Sequence, residues 1–120
     1  MTLSEWIALY ERKAEPYVES ERFQLHFDEG HGFVQWTKLD GDVLFMGACC
    51  SNDIRWAYGW VKAKAKELGC RTLATMTCRN PRAFLRRAYA IGSNAHIDLP
   101  RSGWLDNGRW YWFLTEAVRE

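Results

Sequence analysis

The chain has 120 residues, a length typical of a single domain that folds around its own hydrophobic core. Its formal net charge of +1 gives no overall attraction to nucleic acid or anionic membranes, and no stretch approaches the roughly 20 apolar residues of a transmembrane helix. Four cysteines without a C-x-x-C spacing argue against a zinc site or disulfide framework, and the N-terminus does not resemble a signal peptide, so we expect a cytoplasmic protein, of a cell or of an infected host.

The N-terminal half is predicted to form one helix followed by three strands. Thr2 and Glu5 have the spacing of a capping box, and the helix that they begin ends near Pro16. The third strand is an unbroken run of apolar and small residues, which is typical of a strand buried on both faces. Alternation and turn signals place the strands at 23–27, around Val34 and Trp36, and at Val43–Cys50.

The C-terminal half is predicted to contain two strand–helix units and a final pair of strands. Ser51 is expected to cap the first helix, and Asn80, Pro81 and Gly92 are typical of the start and end of the second. The predicted elements are helix Asn52–Leu68, strand Thr72–Cys78, helix Pro81–Ala90, strands Ala95–Leu99 and Arg109–Thr115, and a hairpin turn at Asn107-Gly108. The order αβββαβαββ indicates an α/β (α+β layered) fold, a mixed sheet flanked by helices in one domain over 1–120.

The helix beginning at Asn80-Pro81 and ending before Gly92, with a strand pair after it, resembles the C-terminal half of the GNAT N-acetyltransferase fold. The resemblance covers roughly residues 23 to 117 and extends to small phage-encoded GNAT-like proteins, including the internal virion type. It implies acetyl-CoA as the cofactor, bound in a cleft between Val43–Cys50 and Thr72–Cys78. No other cofactor and no metal are implied.

Members of that family bind the CoA pyrophosphate at the start of the long helix, with the pattern Arg or Gln, two residues, Gly, one residue, then Gly or Ala. If Arg55 is the first position, Tyr58 and Trp60 replace the two small residues, so the resemblance predicts a degenerate site. Gly59, inside the same helix, is interpreted as a point of close packing against an aromatic ring. The residues that the resemblance assigns to acetyl-CoA are Gly47, Cys49, Cys50, Ser51, Asn52 and Arg55.

Catalytic candidates follow from the same resemblance and from turn positions. The family often places a Tyr four residues before the Gly that ends the short helix, where this chain has Ala88, with Tyr89 next to it. Tyr89 is therefore the candidate acid, and His31, Glu29 and His96 are candidate bases, because catalytic groups are common at strand ends and turns. A nucleophilic Cys50 with His96 or His26 is a weaker hypothesis.

A binding surface is the competing interpretation, because the chain has seven Trp, five Tyr and six Phe and a cluster of arginines. The residues predicted to contact a partner are Arg82, Arg86, Arg87, Trp104 and Trp110. Strand alternation predicts that Trp110 and Trp112 share one sheet face, with Tyr111 and Phe113 on the other. Three functions stay open: a scaffold that binds a protein partner or a second copy, an active N-acetyltransferase, and a nucleic-acid-binding module.

Overall fold

The computed structural model describes residues 1–118, which form three α-helices, seven strands and one 3-10 turn. In chain order these are α1 (Leu3–Lys13), β1 (Gln24–Asp28), β2 (Gly32–Leu39), β3 (Val43–Ser51), α2 (Ile54–Glu67), β4 (Thr72–Thr77), α3 (Pro81–Ala90), β5 (His96–Ile97), the 3-10 turn (Leu99–Arg101), β6 (Gly103–Trp104) and β7 (Trp110–Ala117). No helix among residues 1–118 has the length and apolar composition needed to cross a bilayer.

One mixed sheet organises the molecule, with strand order β1-β2-β3-β4-β7-β5 and with β6 paired to the outer part of β7. The central pair, β3 and β4, is parallel, and the remaining pairs among the described residues are antiparallel. The parallel pair is joined by α2, which is the crossover that such strands require. The predicted α/β fold with a mixed sheet between helices is confirmed.

The helices form a layer on each side of the sheet. Helix α2 packs on a core that includes Leu44 and Leu73, and α3 packs through Leu85 on Leu114. Across β4 and β7, Leu114 pairs with Thr75, so these two residues share a face. Thr75 is two positions from Leu73 on β4, so Leu114 and Leu73 also lie on the same face. On the opposite face, α1 buries Trp6 and places the Tyr10 ring edge-on to Phe33, with centroids 5.9 Å apart.

Local capping signals place the helix ends where the sequence predicts them. Thr2 and Glu5 form the reciprocal capping box of α1. Asn80 caps α3 through the N–H of Arg82, and Gly92 takes a left-handed φ of +90° after it. The prediction for α2 was wrong in one respect, because its N-cap is Asp53 and not Ser51.

The C-terminal region differs from the prediction by one strand. The predicted strand Ala95–Leu99 is reduced to β5, because Asp98 caps a 3-10 turn that draws the chain away from β7. The short strand β6 was not predicted; two residues are too few to show an alternating pattern. Asn107-Gly108 does form a turn, with Gly108 at φ +83°, but it joins β6 to β7.

Candidate functional site

A cleft opens in the middle of the sheet where β3 and β4 separate. Their parallel pairing runs from Val43 and Thr72 to Met46 and Thr75 and then stops. At this apex the Thr75 hydroxyl donates to the Met46 carbonyl oxygen at 2.8 Å. Beyond it, β3 stays beside β2 and β4 stays beside β7. The cleft therefore lies between the two strands that the resemblance named.

The edge of this cleft contains a β-bulge at Gly47 and Ala48. Val34 pairs with Cys49 and Trp36 pairs with Met46, so these two residues face the single residue Gln35. The Ala48 N–H donates to Gln35 Oε1 at 3.2 Å, and the buried Gln35 amide donates in turn to the Val18 carbonyl at 3.0 Å. The Ala48 N–H at this bulge is therefore already paired and is not free to bond an acyl oxygen. Gln35 belongs to no sequence motif, so the sequence alone does not indicate its role.

The loop between β3 and α2 is held by the turn between β1 and β2. Ser51 Oγ donates to the His31 carbonyl at 2.8 Å and accepts from the Asp53 N–H at 2.9 Å. The Asn52 N–H also donates to the His31 carbonyl, at 3.0 Å, and the Asn52 side chain donates to the Gly30 carbonyl at 2.9 Å. The polar groups of Ser51 and Asn52 thus serve a contact within the chain.

The first turn of α2 is occupied by its own cap. The Asp53 carboxylate accepts from the Arg55 N–H at 3.0 Å, and the Asp53 carbonyl accepts from the Trp56 N–H at 3.1 Å. An anion bound at a helix N-terminus relies on free N–H groups and on the positive end of the helix dipole. Here the Asp53 carboxylate lies at the positive end of the dipole and takes the Arg55 N–H, and the Trp56 N–H is bonded to the Asp53 carbonyl. Helix α2 begins at Ile54. The three positions compared with the pyrophosphate-binding pattern therefore lie inside the helix and past the loop: Arg55, Tyr58 and Trp60.

An aromatic column continues this contact from the turn along α2. His31 stacks on Trp56 with centroids 5.2 Å apart and planes 10° apart, and Trp56 lies 5.6 Å from His26. His26 stacks on Trp60 at 4.2 Å and 8°, and Trp60 lies 6.0 Å from Trp36. The column joins the β1–β2 hairpin to the first two turns of α2, and it gives Trp60 a packing role there.

Of the catalytic candidates, His31 and Glu29 share the β1–β2 turn, but Tyr89 is not brought to them. His31 Nδ1 lies 3.1 Å from Asp28 Oδ1, and this hydrogen bond lowers the pKa of the Asp28 carboxyl. Glu29 is exposed in the same turn, where its backbone carbonyl accepts from the Trp6 indole at 3.2 Å. The Tyr89 hydroxyl lies towards the opposite edge of the sheet, where it donates to the Ala95 carbonyl, just before β5, at 2.9 Å.

The cysteines next to the cleft are protonated thiols at neutral pH. Burial raises the pKa of the Cys49 thiol to about 12 and also raises that of Cys50. His96 is on β5, three strand spacings or about 14 Å from β3, where it faces Thr115. His26 is held in the aromatic column. The hypothesis of a Cys50 nucleophile with either histidine was therefore wrong.

The predicted partner residues lie on the side of the sheet that α3 covers. Arg82, Arg86 and Arg87 are exposed, and none of them forms an ion pair with a described residue. Trp104 has 71% of its surface exposed and meets Trp110 edge-on at 5.1 Å. Trp110 also lies 5.7 Å from Trp112, which confirms that these two share a face, while Phe113 stacks on Phe45 on the other.

A groove along α2 was not predicted. It has a volume of about 460 Å³, with Tyr58 in one wall and Ile91, just after α3, in the other. Beside it, the hydroxyls of Tyr58 and Ser93 both donate to the buried Glu116 carboxylate, which also accepts from the Asn94 N–H at 3.2 Å. Burial, followed by the hydrogen bond to Glu116, raises the pKa of Tyr58 to about 12.

One sequence signal marks this network. Glu116 is the single acidic residue of β7, and alternation places it inward with Leu114.

Close packing at Gly59 was a wrong prediction, because a Cβ added there would meet no atom within 4 Å.

Comparisons with solved structures identify the architecture. A Bacillus subtilis acetyltransferase in complex with CoA superimposes with a TM-score of 0.58 and 16% identity, over 82% of this chain and 79% of that one. A GNAT family acetyltransferase from Elizabethkingia anophelis with acetyl-CoA bound gives 0.57 and 15%, over 95% and 82%. The ribosomal-protein-S18-alanine N-acetyltransferase from Escherichia coli gives 0.53 and 15%, over 100% and 92%.

The chain has a GNAT-like fold. The sequence itself matches no protein-family model and no curated protein significantly. At identities of 15–16% the comparisons establish the GNAT-like fold alone, and the phage-type part of the resemblance stays a prediction. Within this GNAT-like fold, the separated strands β3 and β4 are present, while the loop before α2 is paired with the chain itself.

Proposed function

We propose that this protein uses a GNAT-like fold as a binding scaffold and does not bind acetyl-CoA productively. The observation that carries the proposal is the occupied N-terminus of α2. The N–H groups of Asn52, Asp53, Arg55 and Trp56 all donate to acceptors within the chain. The acceptor at the helix end is the Asp53 carboxylate, which has the charge of the ligand that the site would need to bind.

Binding a pyrophosphate at this loop has two free-energy costs. The hydrogen bonds of Ser51 and Asn52 to the β1–β2 turn must break or rearrange, and each contributes about 1 kcal/mol. A phosphate close to the Asp53 carboxylate is also repelled, by about 4 kcal/mol for two unit charges 4 Å apart near a protein surface. Together these terms remove the advantage that an open helix N-terminus offers to an anion.

The proposed partner is a protein with an acidic surface next to an apolar pocket. Arg82, Arg86 and Arg87 supply unpaired positive charge, and the exposed Trp104 supplies a large apolar anchor of the type that dominates interface energetics. The indole N–H of Trp110, beneath Trp104, has no acceptor among residues 1–118. In the phage-type setting that the sequence resembles, the partner is a host-defence protein, a host enzyme or another virion component.

The second candidate is an active N-acetyltransferase. It is supported by the separation of β3 and β4 after Met46 and Thr75 and by the similarity to acetyltransferases with CoA or acetyl-CoA bound. In this reading an acceptor amine attacks the thioester carbon in the cleft, the C–N bond forms, and the CoA thiolate leaves. Tyr89 would need a rearrangement to meet His31 and Glu29 there, since the β1–β2 turn lies towards one edge of the sheet and the Tyr89 hydroxyl bonds Ala95, just before β5 at the other edge.

Calorimetric titration with acetyl-CoA, and with CoA as its reference, separates the two candidates. We expect no binding of either ligand at 1 mM, roughly the weak limit of useful affinity. Asp53→Asn keeps an oxygen for the Arg55 N–H but removes the charge, and is expected to gain measurable affinity. Micromolar binding by the natural chain that is lost in the double variant Ser51→Ala, Asn52→Glu would overturn the scaffold proposal in favour of the enzyme.

The partner surface needs its own test. Sedimentation velocity first establishes whether the chain associates with a second copy. The triple variant Arg82→Glu, Arg86→Glu, Arg87→Glu is then compared with the natural chain in affinity purification from cells of the source. We expect a partner recovered by the natural chain to be lost by the triple variant at unchanged thermal midpoint. A partner retained by the triple variant contradicts this surface.

A further inference from the structure

The nearly neutral net charge hides a strong separation of charge along the chain. Residues 54–92 contain nine of the sixteen Lys and Arg residues and a single acid, Glu67. Residues 1–53 contain ten of the fifteen Asp and Glu residues and four cations. Because α2 and α3 pack on one face of the sheet and α1 on the other, this separation gives the molecule a basic side.

The groove along α2 concentrates part of this charge in a concave site. Arg55, Lys62 and Lys66 line it along the helix, at intervals of about 10 Å and 6 Å along the axis. Gly59 lies in the same wall and leaves the groove open, since no atom lies within 4 Å of the Cβ position. Ile91 forms the facing wall.

The groove cations are unpaired, in contrast to their neighbour on the same helix. Lys64 points away, pairs with Glu67 at 3.3 Å and lies over the Trp36 ring at 5.2 Å. Arg55, Lys62 and Lys66 form no ion pair with a residue in the range 1–118. Lys62 is positioned over the Tyr58 ring, with Nζ 4.9 Å from its centroid. A row of unpaired cations in a groove favours a ligand with a row of negative charges.

We propose that this groove binds the sugar–phosphate backbone of single-stranded nucleic acid. A flexible strand can bring successive phosphates to a row of cations along one helix face, and these cations line a groove of about 460 Å³. The last turn of α3 exposes 54% of Tyr89, two residues before Ile91, as a ring on which a base can stack.

An acidic protein is the less favoured occupant of this groove. Protein interfaces rely on apolar or aromatic anchors in pockets. In the described lining Ile91 is the one large aliphatic side chain, while the Tyr58 hydroxyl is bonded to Glu116 and Lys62 lies over the Tyr58 ring. Two of the three groove cations also lie away from the end of α2 that faces the β3–β4 cleft. Lys62 and Lys66 lie about 12 Å and 18 Å from Ile54 along the helix axis.

Fluorescence anisotropy with labelled oligo(dT) and oligo(U) of 12 nucleotides tests the proposal on the full chain. We expect dissociation constants near 1–100 μM at 50 mM salt and a slope of log K against log salt of about −2, from three phosphate contacts on a single strand. The variant Arg55→Gln, Lys62→Gln, Lys66→Gln is expected to lose at least tenfold in affinity and most of the slope.

A matched control removes the same charge from the acidic half of the chain. Arg12→Gln, Lys13→Gln and Arg22→Gln replace three exposed cations outside the groove, and binding should stay within twofold. Circular dichroism checks the fold of both variants. If the groove variant unfolds, the double variant Lys62→Gln, Lys66→Gln replaces it, with a loss of about two thirds of the slope expected.

Five results would overturn the proposal. Four are no binding at 50 mM salt, an equal loss in the control variant, a 12-base-pair duplex bound as tightly as the single strand, and displacement of the strand by polyglutamate at equal charge. The fifth is displacement by micromolar CoA, which would assign the cations to a nucleotide cofactor. None of these results depends on the protein partner proposed for α3.

Discussion

The two ends of α2 differ in how the chain treats their polar groups. At the N-terminal end, the Asp53 carboxylate accepts from the Arg55 N–H, the β1–β2 turn accepts from Ser51, and His31 stacks on Trp56. Further along the helix, Lys62 and Lys66 face an open groove and form no ion pair with a described residue. A family resemblance directs attention to the first end. Unpaired groups, which are what a ligand can bind, lie at the second.

The largest effect is expected from breaking the network beside the groove. Glu116→Ala leaves the hydroxyls of Tyr58 and Ser93 and the N–H of Asn94 without their buried acceptor, and should cost about 4 kcal/mol of unfolding free energy. Tyr58→Phe removes one donor and should cost about 1 kcal/mol. Urea denaturation measures both. A cost of Glu116→Ala below that of Tyr58→Phe would show that the carboxylate does not hold the network together.

The next largest effect on stability is expected from two glycines, Gly32 at the start of β2 and Gly59 in the wall of the groove. Gly32 has φ +132°, and an added Cβ would lie 2.0 Å from the Cys50 carbonyl oxygen, so Gly32→Ala should cost about 3 kcal/mol by displacing the turn that holds Ser51. Gly59→Ala meets nothing and should stabilise α2 by about 0.5–1 kcal/mol.

Urea denaturation of both glycine variants, with identical chemical changes, decides the matter. The same sign for the two would contradict the difference drawn between the closed turn and the open groove.

The sequence predicts what local chemistry determines. Thr2 with Glu5 and Asn80 with Pro81 start their helices as predicted, because a cap needs only its neighbours. Ser51 and Asp53 are both good N-caps, and the choice between them depends on the His31 carbonyl, twenty residues away, which takes the Ser51 hydroxyl. Local propensity cannot distinguish these two residues.

The candidate site depends more strongly on distant contacts, so less of it could be predicted. Gln35 and Ala48 meet across a bulge, and Tyr58 and Glu116 are 58 positions apart. The resemblance supplied the β3–β4 cleft, which is a property of the backbone. It could not show that backbone carbonyls of the β1–β2 turn would accept hydrogen bonds from the loop before α2.

The smallest effect tests the closed end through pH. Burial lowers the pKa of His26, with Lys64 adding to the shift and Asp28 opposing it. A folded-state pKa below the unfolded value of 6.5 means that neutral His26 contributes stability above pH 6.5, and this is lost as the pH falls through the lower folded value.

His26→Phe keeps an aromatic ring between Trp56 and Trp60 but cannot titrate. Between pH 7.5 and 5, the variant should lose less unfolding free energy in urea than the natural chain. Equal slopes for the two proteins would show that the aromatic column does not desolvate His26.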